Sequence, residues 1–169
     1  MKLHLAALLS ALAPVALAQG QNLVWTVHDF DFHASYIFTT PAHQNSWGYV
    51  NFTISNTLAP YKSYCTASSS QLSDFFYGTT AYACKPADEA PLGAASNFRF
   101  SRPSSTLIVE ETVPFPEEYV TRFGTTTISL NCTDTGTVVN EKWELGQIYS
   151  TRDVKCVPSG PVTINPNSV

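Results

Sequence analysis

Residues 47–56 read Trp47-Gly-Tyr-Val-Asn-Phe-Thr-Ile-Ser-Asn56, and their central part alternates between apolar and polar side chains. The apolar residues are Val50, Phe52 and Ile54, and the polar residues between them are Asn51, Thr53 and Ser55. Successive side chains of a β-strand point to opposite faces of the sheet. The alternation therefore predicts a strand with one buried and one solvated face.

The same stretch contains the N-glycosylation sequon Asn51-Phe-Thr53, whose asparagine falls on the polar face. A second sequon, Asn131-Cys-Thr133, lies in another alternating run. Such tripeptides also arise by chance in a Thr-rich chain. Both asparagines are predicted glycan acceptors, because a glycan on the polar face of a strand does not enter the core.

The rest of the chain favours an all-β fold. Short runs rich in Val, Ile, Thr, Tyr and Phe recur between clusters of Pro, Gly, Ser and Asn, and little has helical period. Strands are predicted near Leu23–Phe32, Tyr36–Thr40, Trp47–Ser55, Tyr61–Ala67, Thr79–Lys85, Asn97–Ser101, Thr106–Val113, Tyr119–Phe123, Thr125–Thr133, Lys142–Tyr149 and Val154–Val157. The pattern indicates a single antiparallel β-barrel or sandwich.

Between these strands, Pro-containing stretches over Pro86–Ser96 and Val113–Glu118 are predicted loops, since repeated Pro interrupts strand pairing. Ser69–Tyr77 is predicted to form a helical turn or a loop, because its apolar residues have weak helical spacing.

The N-terminal 18 residues have a basic start, an apolar middle and an Ala-x-Ala ending, which is typical of a secretory signal peptide. A membrane anchor would need a longer apolar span. The predicted organisation is a signal peptide over 1–18, a secreted all-β domain over 19–157 and a flexible C-terminal tail over 158–169. The tail lacks the apolar terminus of a lipid-anchor signal. The mature protein is expected to be extracellular.

The formal net charge is −4, and no run of Lys and Arg occurs along the chain. Phosphate backbones and anionic lipid surfaces are bound through such basic runs. Neither nucleic acid nor a membrane is therefore an expected partner.

The four cysteines are Cys65, Cys84, Cys132 and Cys156. An even number in an exported chain predicts two disulfides, and four cysteines allow three pairings. Pairing Cys65 with Cys84 and Cys132 with Cys156 is favoured, because each pair brackets about two strands and a turn. Neither Cys-x-x-Cys nor paired His spacing occurs, so no metal or cofactor is predicted.

The densest group of titratable residues is His28-Asp-Phe-Asp-Phe-His33. In an extended strand Asp29, Asp31 and His33 would share a face, which is a metal-binding arrangement. However, the preceding apolar residues Trp25 and Val27 would fall on this same face, so the alternation of apolar and polar residues breaks near His28. This break favours a bulge or a solvated strand end.

Two acidic doublets, Glu110-Glu111 and Glu117-Glu118, are compatible with a glycosidase, in which two carboxylates flank the bond that is cleaved. Sequence neighbours on a strand point in opposite directions, so only a cross-strand pair would suit this chemistry. The chain has no Gly-x-Ser-x-Gly nucleophile elbow, and no residue is assigned a catalytic role.

Aromatic residues are abundant and are expected to fill most of the core. Beyond the core, two binding sites are predicted, one on the surface and one inside the barrel. Phe75-Phe76-Tyr77, in a Ser-rich stretch, is the candidate exposed binding patch. A barrel of this size also has room for one small aromatic ligand.

Several motifs together resemble the Alternaria major-allergen family of small secreted fungal β-barrel proteins. They are Trp25-x-Val27-x-x-Phe30, Trp47-Gly-Tyr-Val-Asn-Phe-Thr-Ile54, Tyr64-Cys65 and Ala81-Tyr-Ala-Cys84, followed by the second cysteine pair. The resemblance implies a non-enzymatic allergen, elicitor or effector. Its implied partners are host extracellular proteins, such as thaumatin-like defence proteins, and a flavonoid-like ligand.

The family's N-terminal, dimer-forming cysteine has no counterpart before Cys65, so no disulfide-linked dimer is expected. The alternative function is a small cell-wall carbohydrate-binding or carbohydrate-active protein that uses the acidic doublets and exposed aromatic residues.

Overall fold

The computed structural model describes residues 23–115 and 117–167, and these form twelve β-strands with no helix. The strands are β1 (Trp25–Thr40), β2 (His43–Gln44), β3 (Trp47–Asn56), β4 (Lys62–Ser69), β5 (Tyr82–Pro86), β6 (Ala95–Ser101), β7 (Thr106–Pro114), β8 (Tyr119–Thr127), β9 (Leu130–Asp134), β10 (Val138–Val139), β11 (Ser150–Pro158) and β12 (Val162–Ile164). Within the described ranges, no helix is long and apolar enough to cross a membrane. The predicted signal peptide lies outside the described residues.

All strand pairs are antiparallel, and the main path of the sheet is β10-β11-β1-β3-β4-β5-β6-β7-β8. β2 and β12 pair with β1, and β9 pairs with β11. The sheet curls into a half-barrel. Its far strand β8 returns to the C-terminal segment, where Gly124 bridges Pro166 and Asn167 N donates to Phe123 O at 2.9 Å. The predicted all-β, antiparallel, barrel-like fold is confirmed.

The alternation in β3 fixes which face of the sheet is buried. Val50, Phe52 and Ile54 are almost completely buried, whereas Asn51 between them is exposed. The core that they join is rich in aromatic rings. Its largest fully buried side chains include Trp25, Phe32, Phe75, Phe76, Phe98 and Phe100.

Phe75 and Phe76 are only 0 % and 2 % exposed, so the prediction of an exposed patch is wrong for both. Tyr77 alone of the three remains exposed. The reason is a space on β3, where a Cβ at Gly48 would stand 3.0 Å from the Phe75 ring. Glycine at this position lets the loop after β4 fold its aromatic side chains into the core.

A β-bulge interrupts the pairing of β1 with β3. His28 pairs with Thr53 and Asp31 with Asn51, so the register shifts between them, and Asp29 has a φ of 53°. The bulge predicted near His28 is confirmed, and the strand continues to Thr40 instead of ending there. The bulge lets Trp25 and Phe32 face the same core although their spacing has opposite parity.

Both disulfides have the favoured pairing. Cys65 is bonded to Cys84 and Cys132 to Cys156, and each pair lies directly opposite across neighbouring strands. Each bond therefore fastens two strands that already pair through their backbones.

Two segments differ from their predictions. Residues 142–149, predicted as a strand, form a turn-rich loop that is closed by a hydrogen bond from Asn140 N to Tyr149 O of 2.8 Å. The segment after Pro158, predicted as a flexible tail, provides β12, which pairs with the start of β1. Ile164 is completely buried, so burial of this apolar side chain explains why the segment adds a strand. Residues 70–76 form a loop with a turn and no helix, and Tyr77 bridges Ser101.

Candidate functional site

A largely apolar pocket of about 330 Å³ opens where the sheet closes on itself. It is built from the residues just before β1, the loop after β3, strands β7 and β8 with their connection, and the C-terminal segment. The lining consists of Leu23, Leu58, Glu111, Val113, Phe115, Glu118, Val120, Arg122 and Pro166. We call it the Glu111 pocket.

Glu111 occupies a core-facing position of β7. The strand buries Leu107, Val109 and Val113 at alternating positions, and Glu111, which is 5 % exposed, falls in the same series. Because the pleat directs alternate side chains to one face, the carboxyl stands where the pattern provides an apolar group.

Two neutral side chains hold this carboxyl. Trp25 Nε1 and Asn56 Nδ2 each donate to Glu111 Oε2 at 2.6 Å. Burial raises the pKa of Glu111 above its ordinary value, and the two hydrogen bonds offset part of this rise. The pocket thus contains a carboxyl that holds its proton to a higher pH than a solvated glutamate.

Other polar groups are buried at the start of β4 and on β6, the strand that pairs with β7. The hydroxyl groups of Tyr61, Ser63 and Ser96 are buried without a hydrogen-bond partner among the described side chains and backbone. Ser96 lies directly opposite Glu111 across β6 and β7. Burial raises the pKa of Tyr61, and the negative charge of Glu111 raises it further. The barrel interior near the pocket therefore retains unused hydrogen-bonding capacity.

A second cleft of about 460 Å³ lies across the ends of β1, β9 and β11, and it is polar. Arg152 Nε donates to both Asp134 oxygens, at 2.9 and 3.1 Å, and its guanidinium carbon stands 5.2 Å from the Tyr36 ring centroid. The hydrogen bonds from Arg152, together with one from Gly136 N, lower the pKa of Asp134 from 3.8 to about 2. We call this the Arg152 cleft, and its principal opposite charges neutralise each other.

The histidines and aspartates of β1 make separate contacts, and His33 belongs to a chain of polar groups with Ser35 and Asp153. Ser35 Oγ donates to Asp153 Oδ1 at 2.6 Å, and His33 Nε2 lies 3.0 Å from the same hydroxyl. In a hydrolase triad the imidazole stands between the serine and the carboxylate, whereas here the serine does. No group of three or more metal-ligating side chains occurs in residues 23–115 and 117–167.

The acidic doublets separate as strand geometry requires. Glu110 lies on the outer side of β7 and accepts a hydrogen bond from Asn97 Nδ2 at 3.0 Å, whereas Glu111 faces the interior. Glu118, from the second doublet, lines the same pocket as Glu111. The fold thus brings together one carboxylate from each doublet, and Glu117 is exposed outside the pocket lining.

Both sequon asparagines are exposed on strands, Asn51 on β3 and Asn131 on β9. The structure is therefore compatible with a glycan at either position. Glycosylation of the two residues stays a prediction.

Apolar side chains are also exposed at one edge of the sheet. They belong to β10 and the loop that leads to β11, and they are Val138, Val139, Leu145 and Ile148, with Leu145 88 % exposed. We call this the β10 edge patch. The patch was not predicted, because Lys142–Tyr149 was expected to form a strand.

Comparison with known proteins gives one match. A family model described as Alternaria alternata allergen 1 matches residues 27–156, which is most of the chain. The match includes β7 with Glu111, all four cysteines and the β10 edge patch. No curated protein and no solved structure matches the chain.

Proposed function

Because the chain belongs to the Alternaria alternata allergen 1 family, we propose that it is a secreted, non-enzymatic binding protein that acts outside the fungal cell. It holds a small aromatic ligand in the Glu111 pocket and binds a host extracellular protein, such as a thaumatin-like defence protein. The observation that carries the proposal is a mostly apolar pocket with a buried carboxyl.

The size and lining of the pocket support a flat, hydroxylated aromatic ligand of the flavonoid class. Its volume of about 330 Å³ lies at the lower end of the range of small-molecule sites. Val113, Phe115 and Val120 would remove apolar ring surface from water. Glu111 and Arg122 would hydrogen-bond the hydroxyl groups of the ligand and so orient it.

The ligand proposal is tested by calorimetric titration of the oxidised protein with quercetin. Val120→Trp fills the pocket and is expected to weaken binding at least about tenfold, a difference of about 1.4 kcal/mol. Val138→Trp makes the same change on the exposed β10 strand and serves as the control, with affinity unchanged. Equal binding by both variants, or no binding by the natural chain, would reject the pocket as the ligand site.

The β10 edge patch supports binding of a host protein. Groups of exposed apolar side chains often mark interaction sites on soluble proteins, and β10 lies at the edge of the sheet. A host protein would cover both the apolar side chains and the strand edge.

The test is surface-based binding of a purified thaumatin-like protein to the immobilised chain. Leu145→Glu is expected to abolish binding, because it places a charge in the apolar patch. The matched control is Leu92→Glu, since Leu92 is 96 % exposed in a different loop. If Leu92→Glu and Leu145→Glu behave alike, the patch is not the binding surface.

A second candidate function is carbohydrate hydrolysis, which the presence of Glu111 and Glu118 in one pocket favours. Glu111, with its raised pKa, would act as the general acid, and Glu118 would act as the base or nucleophile. Release of reducing sugar from cell-wall polysaccharides, abolished by Glu118→Gln, would establish this function. Absence of release from a panel of wall polysaccharides would support the non-enzymatic proposal.

A further inference from the structure

Three aromatic side chains stack against one another on the outer face of the sheet, away from the Glu111 pocket. His33 on β1 lies directly opposite Tyr49 on β3, and Trp47 is two residues from Tyr49 on the same strand face. The ring centroids are 5.2 Å apart for His33 and Tyr49, 5.9 Å for Trp47 and Tyr49, and 5.8 Å for His33 and Trp47. We call these three rings the aromatic platform.

The planes of the platform are close to parallel. The interplanar angles are 7° between His33 and Tyr49, 25° between Trp47 and Tyr49, and 30° between His33 and Trp47. Tyr49 is also fixed at its far end, because its hydroxyl donates to Asp31 Oδ2 at 3.1 Å. Trp47 is 44 % exposed. The platform is therefore a pre-organised aromatic surface that remains partly open to solvent.

Asn51 adjoins this platform directly. It follows Tyr49 by two residues on β3, so the two side chains leave the same face of the strand about 7 Å apart. Asp31, which holds the Tyr49 hydroxyl, lies opposite Asn51 on β1. Thr66 Oγ1 donates to Asn51 Oδ1, whereas a glycan is attached through Nδ2. A sugar on Asn51 begins within reach of the Tyr49 ring.

We propose that the N-linked glycan of Asn51 packs on the aromatic platform of its own chain and stabilises the fold. The acetamido-sugar ring presents a face of C–H groups, and the faces of aromatic rings carry the complementary negative charge. Packing of the two also removes apolar surface of the Tyr49 ring from water. The proposal rests on the secretion included in the proposed function, and it is independent of ligand and host binding.

The second sequon provides an internal control. Asn131 is also exposed on a strand, but the residue two positions before it is Ser129, and its cross-strand partner is Val157. A glycan there would meet no aromatic platform. Only the Asn51 glycan is therefore expected to affect stability.

The experiment uses the chain secreted by a eukaryotic host, with site occupancy measured by mass spectrometry of glycopeptides. Asn51→Gln is expected to lower the midpoint of thermal unfolding by about 2 to 4 °C relative to the glycosylated chain. Asn131→Gln is expected to leave the midpoint unchanged. In a Trp47→Ala/Tyr49→Leu background, the further change Asn51→Gln is expected to have no effect.

A direct readout accompanies the unfolding data, in case the background variant folds poorly. Nuclear Overhauser contacts between the first sugar and the Tyr49 ring are expected in the otherwise natural chain. An unoccupied Asn51, an equal loss of stability with and without the platform, or absence of these contacts would overturn the proposal. Recovery of protein from the medium tests secretion separately, so failure of the proposed function is distinguished from failure of this one.

Discussion

Two carboxylates in this molecule line separate clefts and differ in the direction of their pKa shift. Glu111 is buried and held by the neutral donors Trp25 and Asn56, and burial raises its pKa. Asp134 is exposed and paired with Arg152, and its pKa is lowered to about 2. Loss of hydration dominates at the first site, and a charged partner dominates at the second.

The difference separates a binding pocket from a structural contact. In the Arg152 cleft the main charges satisfy each other, so little electrostatic potential is left for a ligand. The Glu111 pocket combines apolar walls with a buried carboxyl that is hydrogen-bonded only to neutral side chains, so a ligand hydroxyl would meet a largely desolvated hydrogen-bonding group. The comparison identifies the Glu111 pocket as the better candidate for ligand binding, although the Arg152 cleft is the larger.

The largest effect is expected from Glu111→Ala. The change leaves the donors of Trp25 and Asn56 without their acceptor and opens a cavity, so the free energy of unfolding should fall by about 2 to 4 kcal/mol. Urea unfolding followed by tryptophan fluorescence measures this loss. Glu111→Gln retains an acceptor and nearly the same volume, and should lose clearly less. Stability of Glu111→Ala equal to that of the natural chain would mean that the two hydrogen bonds contribute nothing.

A smaller loss is expected from Gly124→Ala at the seam beside the same pocket. A Cβ there would stand 2.5 Å from Asn165 O and 2.8 Å from the Trp25 ring. Backbone and ring would have to move, which should cost about 1 to 3 kcal/mol. Gly160→Ala is the matched control, because no atom lies within 4 Å of its added Cβ. An equal effect at both glycines would argue against close packing at the seam.

The two carboxylates should also give opposite dependences of stability on pH. The folded-state pKa of Glu111 is raised above its ordinary value of 4.5. Above that pH the unfolded chain loses the proton while the folded chain keeps it, so the contribution of Glu111 to stability falls until pH passes the folded-state pKa. Urea midpoints between pH 4 and 7 should show this decline in the natural chain and a shallower one in Glu111→Gln. Parallel profiles would contradict the raised pKa.

Asp134 has the opposite sign and the smallest expected effect. Its pKa falls from 3.8 to about 2, so its stabilising contribution is complete above 3.8 and is lost as pH falls toward 2. The pair is solvent-exposed, and exposed ion pairs are weakened by water and salt. Asp134→Asn should therefore change the urea midpoint at pH 7 only slightly, and less at high salt. A loss as large as that of Glu111→Ala would contradict the comparison.

Local pattern predicted those parts of the fold that depend on neighbours in the sequence. The alternation around Val50 and Phe52 gave a strand and its buried face, and the cysteine spacing gave both disulfides. The bulge near His28 was also visible as a break in the alternation of apolar and polar residues. The alternation of Val162 and Ile164 around Thr163 was an available sign of β12, but its Pro-rich surroundings favoured a tail.

The Glu111 pocket could not be predicted in this way. Its walls include Leu23 and Pro166, which lie near opposite ends of the described chain and meet only because the sheet curls. One local sign existed, since Glu111 continues the buried series of β7, but the adjacent Glu110 made the pair resemble a surface doublet. Burial of Phe75 likewise depends on the space at Gly48, a residue that lies far from Phe75 along the chain.

The most direct test of ligand binding in the Glu111 pocket is methyl NMR of the oxidised chain during titration with quercetin. The pocket is lined by Leu58, Val113 and Val120, whereas Val154 lines the Arg152 cleft. We expect progressive chemical-shift changes at the methyl groups of Leu58, Val113 and Val120, and none at those of Val154. Changes confined to Val154, or no change at any of the four, would contradict the assignment of the ligand site to the Glu111 pocket.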